Sequence, residues 1–512
     1  MNTAPSKREL QQFLKRFVPP PQQQKVIVEL PPTNNSQHSN SNNNNKNNTL
    51  SIAPGLQSPK DYVMDLLAPT YHNQIALTKV QGPFAKHEWK AVGETLHKLQ
   101  KLGLTSIVVT DNPSWQVDDK TASSKERIMM MVRESMALIE AIENAGGRAR
   151  LIYGDVLEFN QDQQSLEVNL DFIHFALSND QIPIVIPAVV NDSVNIHHQQ
   201  QQQQQKTINA NDTMIALTNK LCKSSFHQKL TPSKIVVINH EGGIPNQEHA
   251  GDTVHSLVNV QEEYDAIVNA FQNRPLWEKN YPNAIGNLTM IRDCLAQLPQ
   301  STSSAIMVPT SSLPSALIAN LITDKPLYSS SLPIENTSAM KRVNQLRTTV
   351  FRHGIKIQNY TQLSDLNLDR LTSLLENSFQ KKLDKDGYYQ RLDSILAGAI
   401  IAGDYEGAVI MTNENKNHQH QPIYYLDKFA IAPTSQGIGL TDILWKKMCD
   451  NYPELLWRSR KDNGVNKWYF ERSNGYLRLK DSNWVLFWHG KNGYRQVEKY
   501  ADIAKGIPAS FI

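Results

Sequence analysis

The stretch from Tyr425 to Leu440 decides the fold of the carboxy-terminal third of this chain. It reads Tyr425-Leu426-Asp427-Lys428-Phe429-Ala430-Ile431 and, after four more residues, Gln436-Gly437-Ile438-Gly439-Leu440. The first segment predicts a β-strand, and the amphipathic pattern that begins at Leu440 predicts a helix. Glycines between a strand and a helix permit a sharp turn that points backbone N–H groups outward. The pattern predicts a turn that can hold a pyrophosphate, although turns of this composition often have no ligand.

A pair of arginines follows this unit, in the segment Trp457-Arg458-Ser459-Arg460. Alternate residues of an extended segment lie on one face, so Arg458 and Arg460 can bind the carboxylates of one small dianion. A surface ion pair is the commoner role for any single arginine. Taken with the glycine turn, the pair predicts transfer of a group from a nucleotide-bearing cofactor to an acidic metabolite.

The elements around these segments predict an α+β domain over residues 345–512. The expected elements are helices at Asp365–Ser378 and Leu440–Cys449, a hairpin arm at Ala399–Asn413, and strands at Ile423–Ile431, Leu455–Arg460 and Trp484–Trp488. Arg342–Arg352 is interpreted as the junction or opening strand of this domain.

Residues 61–340 predict a separate α/β domain. The β-branched runs Thr105–Thr110, Ile182–Val190 and Lys234–Asn239 are typical of parallel strands buried on both faces. Strand–helix alternation of this kind indicates a layered domain.

One long helix of that domain is predicted at Lys125–Asn144, with Met136 among the apolar positions that recur at helical spacing and Gly146-Gly147 after its end. The polar run Gln199–Gln205 predicts a surface loop. Residues 1–60, rich in Pro, Gln, Asn and Ser, predict a disordered segment.

Composition excludes several classes of function. The formal charge of +3 over 512 residues gives no reason to expect nucleic acid, and no apolar run is long enough for a membrane span. The three cysteines are isolated and lack metal-ligand spacing, so we expect neither disulfides nor a metal site. The basic, acid-poor amino end fits either a mitochondrial presequence or a tail whose charge is incidental.

The carboxy-terminal residues resemble the GNAT acetyltransferases and, more narrowly, the acetyltransferase domain of N-acetylglutamate synthases. The matching motifs are Leu426-Asp427-Lys428-Phe429, Trp457-Arg458-Ser459-Arg460, Trp468-Tyr469-Phe470, Phe487-Trp488-X-Gly490, Ser378-Phe379-Gln380-Lys381-Lys382-Leu383 and Ala504-Lys505-Gly506-Ile507-Pro508. The chain departs from the family at Thr434, where Gln or Arg is usual, and at Gln380, where Gly is usual.

The resemblance implies acetyl transfer from acetyl-CoA to the α-amine of L-glutamate, without a metal, in the mitochondrial matrix. The implied glutamate contacts are Lys381, Lys428, Arg458, Arg460 and Asn463. The implied acetyl-CoA contacts are Phe429, Ala430, Ile431, Gln436, Gly437, Ile438, Gly439 and Leu440.

Two residues are candidates for proton transfer in this reaction. Tyr469 is the candidate acid for the leaving thiolate, with a packed core aromatic as the alternative of equal weight. Asp427 either guides a proton from the amine or only orients Lys428.

Residues 61–340 contain Asn239-His240-Glu241-Gly242-Gly243-Ile244-Pro245 and Val258-Asn259-Val260-Gln261-Glu262-Glu263-Tyr264. Through these segments and their strand order they resemble, more weakly, the amino-acid kinase fold that precedes the acetyltransferase in these synthases. No Lys-X-Gly-Gly phosphate loop follows Thr105–Thr110, where the chain reads Asp111-Asn112-Pro113-Ser114-Trp115. Gly242-Gly243 fits a tight turn at least as well as a phosphate site. We therefore expect no phosphoryl transfer from a degenerate, regulatory domain that the resemblance associates with inhibition by L-arginine, homo-oligomerisation and a complex with acetylglutamate kinase.

Two alternative functions stay open at this stage. One is an acetylglutamate kinase or bifunctional enzyme, which the missing phosphate loop disfavours. The other is a non-catalytic arginine-sensing subunit, which the complete set of substrate-contact residues disfavours.

Overall fold

The structure of the chain is a computed structural model. It describes residues 74–116, 123–159, 166–191, 204–223, 230–246, 254–299, 303–326, 347–415, 421–436 and 439–512. The predicted amino-terminal segment, most of Gln199–Gln205, and the turn residues Gly437 and Ile438 lie outside these ranges.

The amino-terminal half forms an eight-stranded sheet with helices on both faces. In sheet order its strands are β10 (Leu257–Asn259), β12 (Thr349–Arg352), β11 (Ser304–Pro309), β9 (Lys234–Asn239), β1 (Gln74–Gln81), β2 (Leu104–Asp111), β6 (Ile182–Val185) and β3 (Ala149–Ile152). Its helices are α1 (Lys86–Lys101), α2 (Ser124–Asn144), α3 (Asp171–Ser178), α4 (Ala210–Lys223), α5 (Val260–Gln272), α6 (Pro275–Asn280), α7 (Ala284–Leu295) and α8 (Ser315–Thr323). Short hairpins pair β4 (Leu157–Phe159) with β5 (Leu166–Val168), and β7 (Ala188–Asn191) with β8 (Gln204–Thr207).

Neighbouring strands of this sheet are parallel, apart from β11 and β12, which are antiparallel to each other. A mainly parallel sheet with helices on both faces confirms the predicted α/β layering. Every residue of β2 and β9 is buried, because apolar clusters cover both faces of the sheet. The predicted helix forms as α2 and begins with a capping box, in which Ser123 and Glu126 each bond the other's backbone N–H.

Three expectations for this half need correction, and one apolar position of the predicted helix lies outside the core. Thr105–Thr110 is not the first strand, since β1 precedes it. Ile182–Val190 is not one strand, because the chain leaves the main sheet after Val185 and pairs again in a hairpin from Ala188. Met136 is half exposed on α2 and outside the core. Finally, Thr349–Arg352 does not open the second domain: it pairs with β10 and β11 in the first sheet.

The carboxy-terminal half forms a second, seven-stranded sheet. In sheet order its strands are β13 (Ile357–Tyr360), β14 (Leu396–Ala402), β15 (Gly407–Asn413), β16 (Tyr424–Ile431), β17 (Leu455–Arg460), β19 (Trp484–His489) and β18 (Gly475–Arg478). Its helices are α9 (Leu368–Phe379), α10 (Lys385–Ile395), α11 (Leu440–Asn451), α12 (Asn466–Arg472) and α13 (Val497–Gly506). The predicted α+β architecture is confirmed.

The two halves contact each other beside α11. Lys446 of α11 pairs with Glu263 in the first turn of α5, and the side chain of Glu262 accepts a hydrogen bond from the backbone N–H of Ile357 at 2.9 Å. Ile443 packs against the core of the first domain. Within the described ranges, no helix is long and apolar enough to cross a membrane.

Candidate active site

The two central strands of the second sheet separate soon after they begin. Strands β16 and β17 run parallel, but their pairing is limited to Tyr424 with Leu455 and Tyr425 with Leu456. Beyond these pairs, each strand has backbone N–H and C=O groups that face the gap. Such an opening can receive an extended, amide-containing ligand through main-chain hydrogen bonds, and Phe429–Ile431 lie along it.

A β-bulge on β16 brings two successive charged side chains to one face. In the pairing with β15, Met411 lies opposite Leu426 and Ile410 lies opposite Lys428, so Asp427 is the extra residue. Both Asp427 and Lys428 therefore lie near Tyr388 of α10. The Lys428 ammonium lies 2.6 Å from Oδ2 of Asp427 and 4.7 Å from the centre of the Tyr388 ring.

Asp427 is fully occupied by hydrogen-bond donors. Besides the Lys428 bond, Tyr388 donates to Oδ2 at 3.0 Å and Arg391 donates to Oδ1 at 3.1 Å. Burial alone raises the pKa of Asp427, but the charges of Lys428 and Arg391 and these hydrogen bonds hold the pKa below its ordinary value. The carboxylate is ionised at neutral pH, and the arrangement favours orienting Lys428 over proton transfer.

The segment after α13 crosses the same face of the sheet. Arg458 donates to the carbonyls of Ala504, Ile507 and Pro508, with the Ile507 bond at 2.7 Å. Farther along, Phe511 pairs with Leu383. The carboxy-terminal segment therefore joins β17 to the loop after α9.

The predicted lysines lie beside this segment. The Lys428 ammonium is 5.6 Å from the centre of the Phe511 ring. Lys381, which is exposed, precedes the pairing at Leu383 by two residues. Lys381, Lys428 and Arg458 are thus placed around one segment, although Arg458 uses several of its donors on backbone carbonyls.

The remaining substrate candidates lie at the end of β17. Arg460 is exposed, and its guanidinium has no ion pair in the part of the chain that the structure describes. Asn463 is also exposed, but its side chain holds the turn before α12: it donates to Ser459 Oγ at 2.8 Å and accepts from Val465 N at 3.0 Å. Arg460 is therefore the more available of the two for a ligand.

Tyr469 lies in an aromatic cluster with Trp445, Trp457, Trp468 and Phe487. Burial raises the pKa of its phenol to about 12, so the hydroxyl retains its proton at neutral pH. No hydrogen bond to this hydroxyl is seen among the described residues. The hydroxyl can donate to a ligand, while the ring packs in the core, so the two expectations for Tyr469 are compatible.

The glycine turn is described at its two ends. Gly439 has φ +87° and caps α11, and this left-handed conformation favours glycine. The first turn of α11 begins at Leu440, so its backbone N–H groups open toward the turn. Gln436 is also described, whereas Gly437 and Ile438 are not.

The cysteines are poor nucleophiles in this fold. Burial raises the pKa of Cys294 and Cys449 to about 12, and it also raises the pKa of Cys222. A thiolate at any of these positions is disfavoured near neutral pH. No cluster of possible metal ligands occurs among the residues that the structure describes.

The first domain has its own lysine at the end of a strand, and sequence reasoning missed it. Strand β1 ends with Lys79-Val80-Gln81, and Gly82 follows it. Lys79 is buried, and its ammonium bonds Asn211 at 2.6 Å, Asn287 at 2.9 Å and Asp111 at 2.9 Å. An ammonium occupied in this way is not available to a phosphate. The strand was missed because three of its buried residues, Thr78, Lys79 and Gln81, are polar.

Gly242-Gly243 forms a tight turn packed against the chain. Asn239 Oδ1 accepts the N–H of Gly242 at 2.8 Å, and a Cβ at Gly243 would lie 2.0 Å from Oγ1 of Thr349. The diglycine thus permits close backbone packing, which fits the tight-turn alternative.

The two central strands separate beside a helix that is capped by a glycine, and cationic side chains lie near the opening. These features place the second domain among the GNAT acetyltransferases. A family model described as the N-acetyltransferase of N-acetylglutamate synthase matches residues 358–507.

Relatives match both halves. A mitochondrial amino-acid acetyltransferase of Laccaria bicolor is 34% identical over 91% of this chain and 89% of that protein. One from Coprinopsis cinerea is 33% identical over 89% of this chain and 78% of that protein. The chain belongs to the mitochondrial amino-acid acetyltransferase family, which confirms the predicted enzyme class, acetyl transfer in N-acetylglutamate synthesis, and mitochondrial location.

A solved structure of isopentenyl phosphate kinase from T. acidophilum has 10% sequence identity and a TM-score of 0.31, covering 46% of this chain and 90% of that one.

Proposed function

We propose that the second domain transfers the acetyl group of acetyl-CoA to the α-amine of L-glutamate, with Lys428 and Arg460 as the principal carboxylate contacts. The observation that carries this proposal is a buried lysine, Lys428, on β16 beyond the last pair of that strand with β17, together with two exposed cations, Lys381 after α9 and Arg460 at the end of β17. Cationic side chains on the elements that border an opening favour an anionic ligand there.

Acetyl-CoA lies on the side of the opening between β16 and β17 that is opposite the amino-acid substrate. The backbone of Phe429–Ile431 bonds the amide-containing arm of CoA, and the turn from Gln436 to Leu440 holds its pyrophosphate at the start of α11. The glutamate nitrogen attacks the thioester carbon after its ammonium has lost one proton to solvent. As the tetrahedral intermediate collapses, the C–S bond breaks and the nitrogen releases a further proton that ends on the CoA sulfur, so the products are N-acetylglutamate and the free CoA thiol. A backbone N–H of β16 stabilises the oxyanion.

Tyr469 serves as hydrogen-bond donor to the departing sulfur. Its pKa of about 12 lies well above the ordinary thiol value of about 8.5, so complete proton transfer to the thiolate is uphill. A hydrogen bond from the neutral phenol still stabilises the negative charge on sulfur as it develops. Asp427 orients Lys428, and Arg458 fixes the carboxy-terminal segment beside the pocket.

Thiol release from acetyl-CoA with a matched set of amino acids tests the substrate. Aspartate shortens the spacing between the carboxylates by one methylene, and glutamine removes the side-chain charge. We expect a clear preference for glutamate over both. Equal rates with glutamine would rule out recognition of the second carboxylate, and absence of turnover with every amino acid would favour the non-catalytic alternative.

We also propose that the first domain binds L-arginine as an inhibitor and transmits its effect to α11. The support is the contact of Glu263 and Lys446 together with the packing of Ile443 against the first-domain core. Because α11 begins at the pyrophosphate turn, a shift of α5 would alter the cosubstrate site. Domain boundaries near residues 61–340 and 345–512 fit this division, except that β12 remains with the first sheet.

Homo-oligomerisation is proposed through the exposed β3 edge of the first sheet. Exposed apolar residues flank this edge on both faces: Met129 and Met136 on α2, and Phe172 and Phe175 on α3. Light scattering on Phe175→Glu tests the surface. We expect a smaller assembly than for the wild type, whereas the control Leu276→Glu, at another exposed apolar residue, should leave the mass unchanged. A complex with acetylglutamate kinase stays a prediction from the resemblance.

The kinase alternative is disfavoured by the buried, fully bonded Lys79. An ATP-dependent assay on acetylglutamate tests it directly, and we expect no phosphorylated product.

A further inference from the structure

A second layer of charged residues lies behind Asp427 and was not expected from the sequence. Arg391 of α10 donates through Nη1 to Asp427 and through Nη2 to Glu414, which follows the end of β15. Glu414 also accepts a hydrogen bond from Thr412 Oγ1 at 2.7 Å. Arg391 therefore bridges two carboxylates from different segments of the domain.

The network encloses two positive and two negative side chains with little access to water. Side-chain exposure is 19% for Arg391, 12% for Glu414, 3% for Asp427 and 6% for Lys428. Buried charges are tolerated when they are paired and hydrogen-bonded, and removing one partner leaves another charge uncompensated. Loss of Arg391 would thus leave Oδ1 of Asp427 without its donor and would loosen the position of Lys428, which is bonded to the same carboxylate.

The geometry defines one preferred position for the Lys428 ammonium. Asp427 Oδ1 is held by Arg391, while Oδ2 is shared by Tyr388 and Lys428. Because each oxygen is fixed by a different donor, the carboxylate plane cannot rotate without breaking one of these bonds. The ammonium is consequently held beside Asp427 and over the Tyr388 ring.

We propose that Arg391 and Glu414 are positioning residues for substrate recognition, acting through Asp427 to hold Lys428 where it contacts a carboxylate of the amino-acid substrate. This inference rests on the proposed role of Lys428. Neither Arg391 nor Glu414 touches the substrate; each acts through another side chain. The expected consequence of disrupting them is weaker use of the amino acid with little change in use of acetyl-CoA.

Steady-state kinetics of the full chain test the proposal with Arg391→Met and Arg391→Lys. For Arg391→Met we expect KM for glutamate to rise about tenfold or more, as for loss of a charge-assisted hydrogen bond, with KM for acetyl-CoA changed by less than about twofold. Arg391→Lys keeps one positive charge at this position, and its KM for glutamate should lie between those of Arg391→Met and the wild type. The matched control is Arg370→Met, since Arg370 pairs with Asp404 on the exposed surface of the same domain.

A second variant keeps the test valid if Arg391→Met does not fold. Glu414→Gln retains the shape of the side chain and one acceptor oxygen for Arg391 while it removes one charge, and we expect KM for glutamate to rise several-fold in the folded enzyme. An unchanged glutamate KM in folded variants, or an equal rise in both KM values, would overturn the proposal. Failure of the wild type to prefer glutamate would instead refute the proposed substrate, so the two failures are distinguishable.

Discussion

The ammonium of Lys428 lies 2.6 Å from the carboxylate of Asp427, its neighbour in the same strand. Successive residues of a regular strand point to opposite faces, so this contact depends on the bulge opposite Ile410 and Met411. The bulge thereby converts a charged dipeptide into a buried ion pair at the opening between β16 and β17.

Replacing Asp427 with Asn should weaken glutamate use and alter acid stability. The folded-state pKa of Asp427 is depressed, so its contribution to stability is present above the ordinary carboxyl pKa of about 4 and is lost as pH falls through the folded-state value. Urea unfolding should show Asp427→Asn less stable than the wild type at pH 7, with the difference shrinking below about pH 4. A difference independent of pH would contradict this assignment.

Arg458 and Arg460 should respond differently to replacement by Ala. Arg458→Ala removes the bonds to the carbonyls of Ala504, Ile507 and Pro508, and we expect a loss of about 2–3 kcal/mol in unfolding free energy. Arg460→Ala should leave stability within about 0.5 kcal/mol and raise KM for glutamate. Chemical denaturation and steady-state kinetics on both variants measure this contrast, and equal stability of the two would contradict it.

From the proposed role of the Tyr469 hydroxyl as donor to the departing sulfur, we expect Tyr469→Phe to lower kcat by about tenfold to a hundredfold with little change in either KM. A pKa of about 12 also predicts that ionisation of Tyr469 causes no fall in rate below about pH 10. The stability that the neutral phenol contributes is present below the ordinary tyrosine pKa of about 10 and is lost as pH rises through about 12. The control is Tyr476→Phe, at an exposed tyrosine; similar kcat losses in both variants would assign Tyr469 to packing.

Gly439→Ala should raise KM for acetyl-CoA more than KM for glutamate. At φ +87° an alanine is strained by about 1 kcal/mol, and relaxation of the turn moves the start of α11. Gly506→Ala is the matched control, because a Cβ there meets no atom within 4 Å and φ is not left-handed. Equal effects on both KM values would show that the turn has no specific role in binding acetyl-CoA.

Glu263→Gln should reduce inhibition by arginine while uninhibited activity is retained. The change removes the charge that pairs with Lys446 across the domain contact but preserves the shape of the side chain. Activity titrated with arginine gives the inhibition constant, and the exposed Glu278→Gln on α6 is the control. An unchanged inhibition constant would show that the effect of arginine does not pass through the contact between Glu263 and Lys446. Insensitivity of the wild type to arginine would rule out the regulatory role of the first domain.

Local pattern was sufficient for most of the second domain. Leu455–Arg460 is a strand with the predicted ends, and β16 and α11 begin within one residue of prediction, because their apolar periodicity and the intervening glycines are local signals. In the first domain, β1 was missed because its polar residues are buried through contacts with distant residues, such as Asn287 with Lys79. Strand β12 was assigned to the wrong sheet because strand pairing is not encoded locally.

The sequence by itself determined the two fold classes and the family, and it predicted the substrate contacts, since these inferences depend on periodicity and on short motifs. Only the tertiary structure decided which charges act together. Arg391 and Glu414 are distant from Lys428 along the chain, and the fold brings them behind it in one buried network. Similarly, Arg458 engages the carboxy-terminal carbonyls, because α13 packs beside β17. Burial makes each of these ionic groups depend on its partners, and a partner's position is a property of the whole fold.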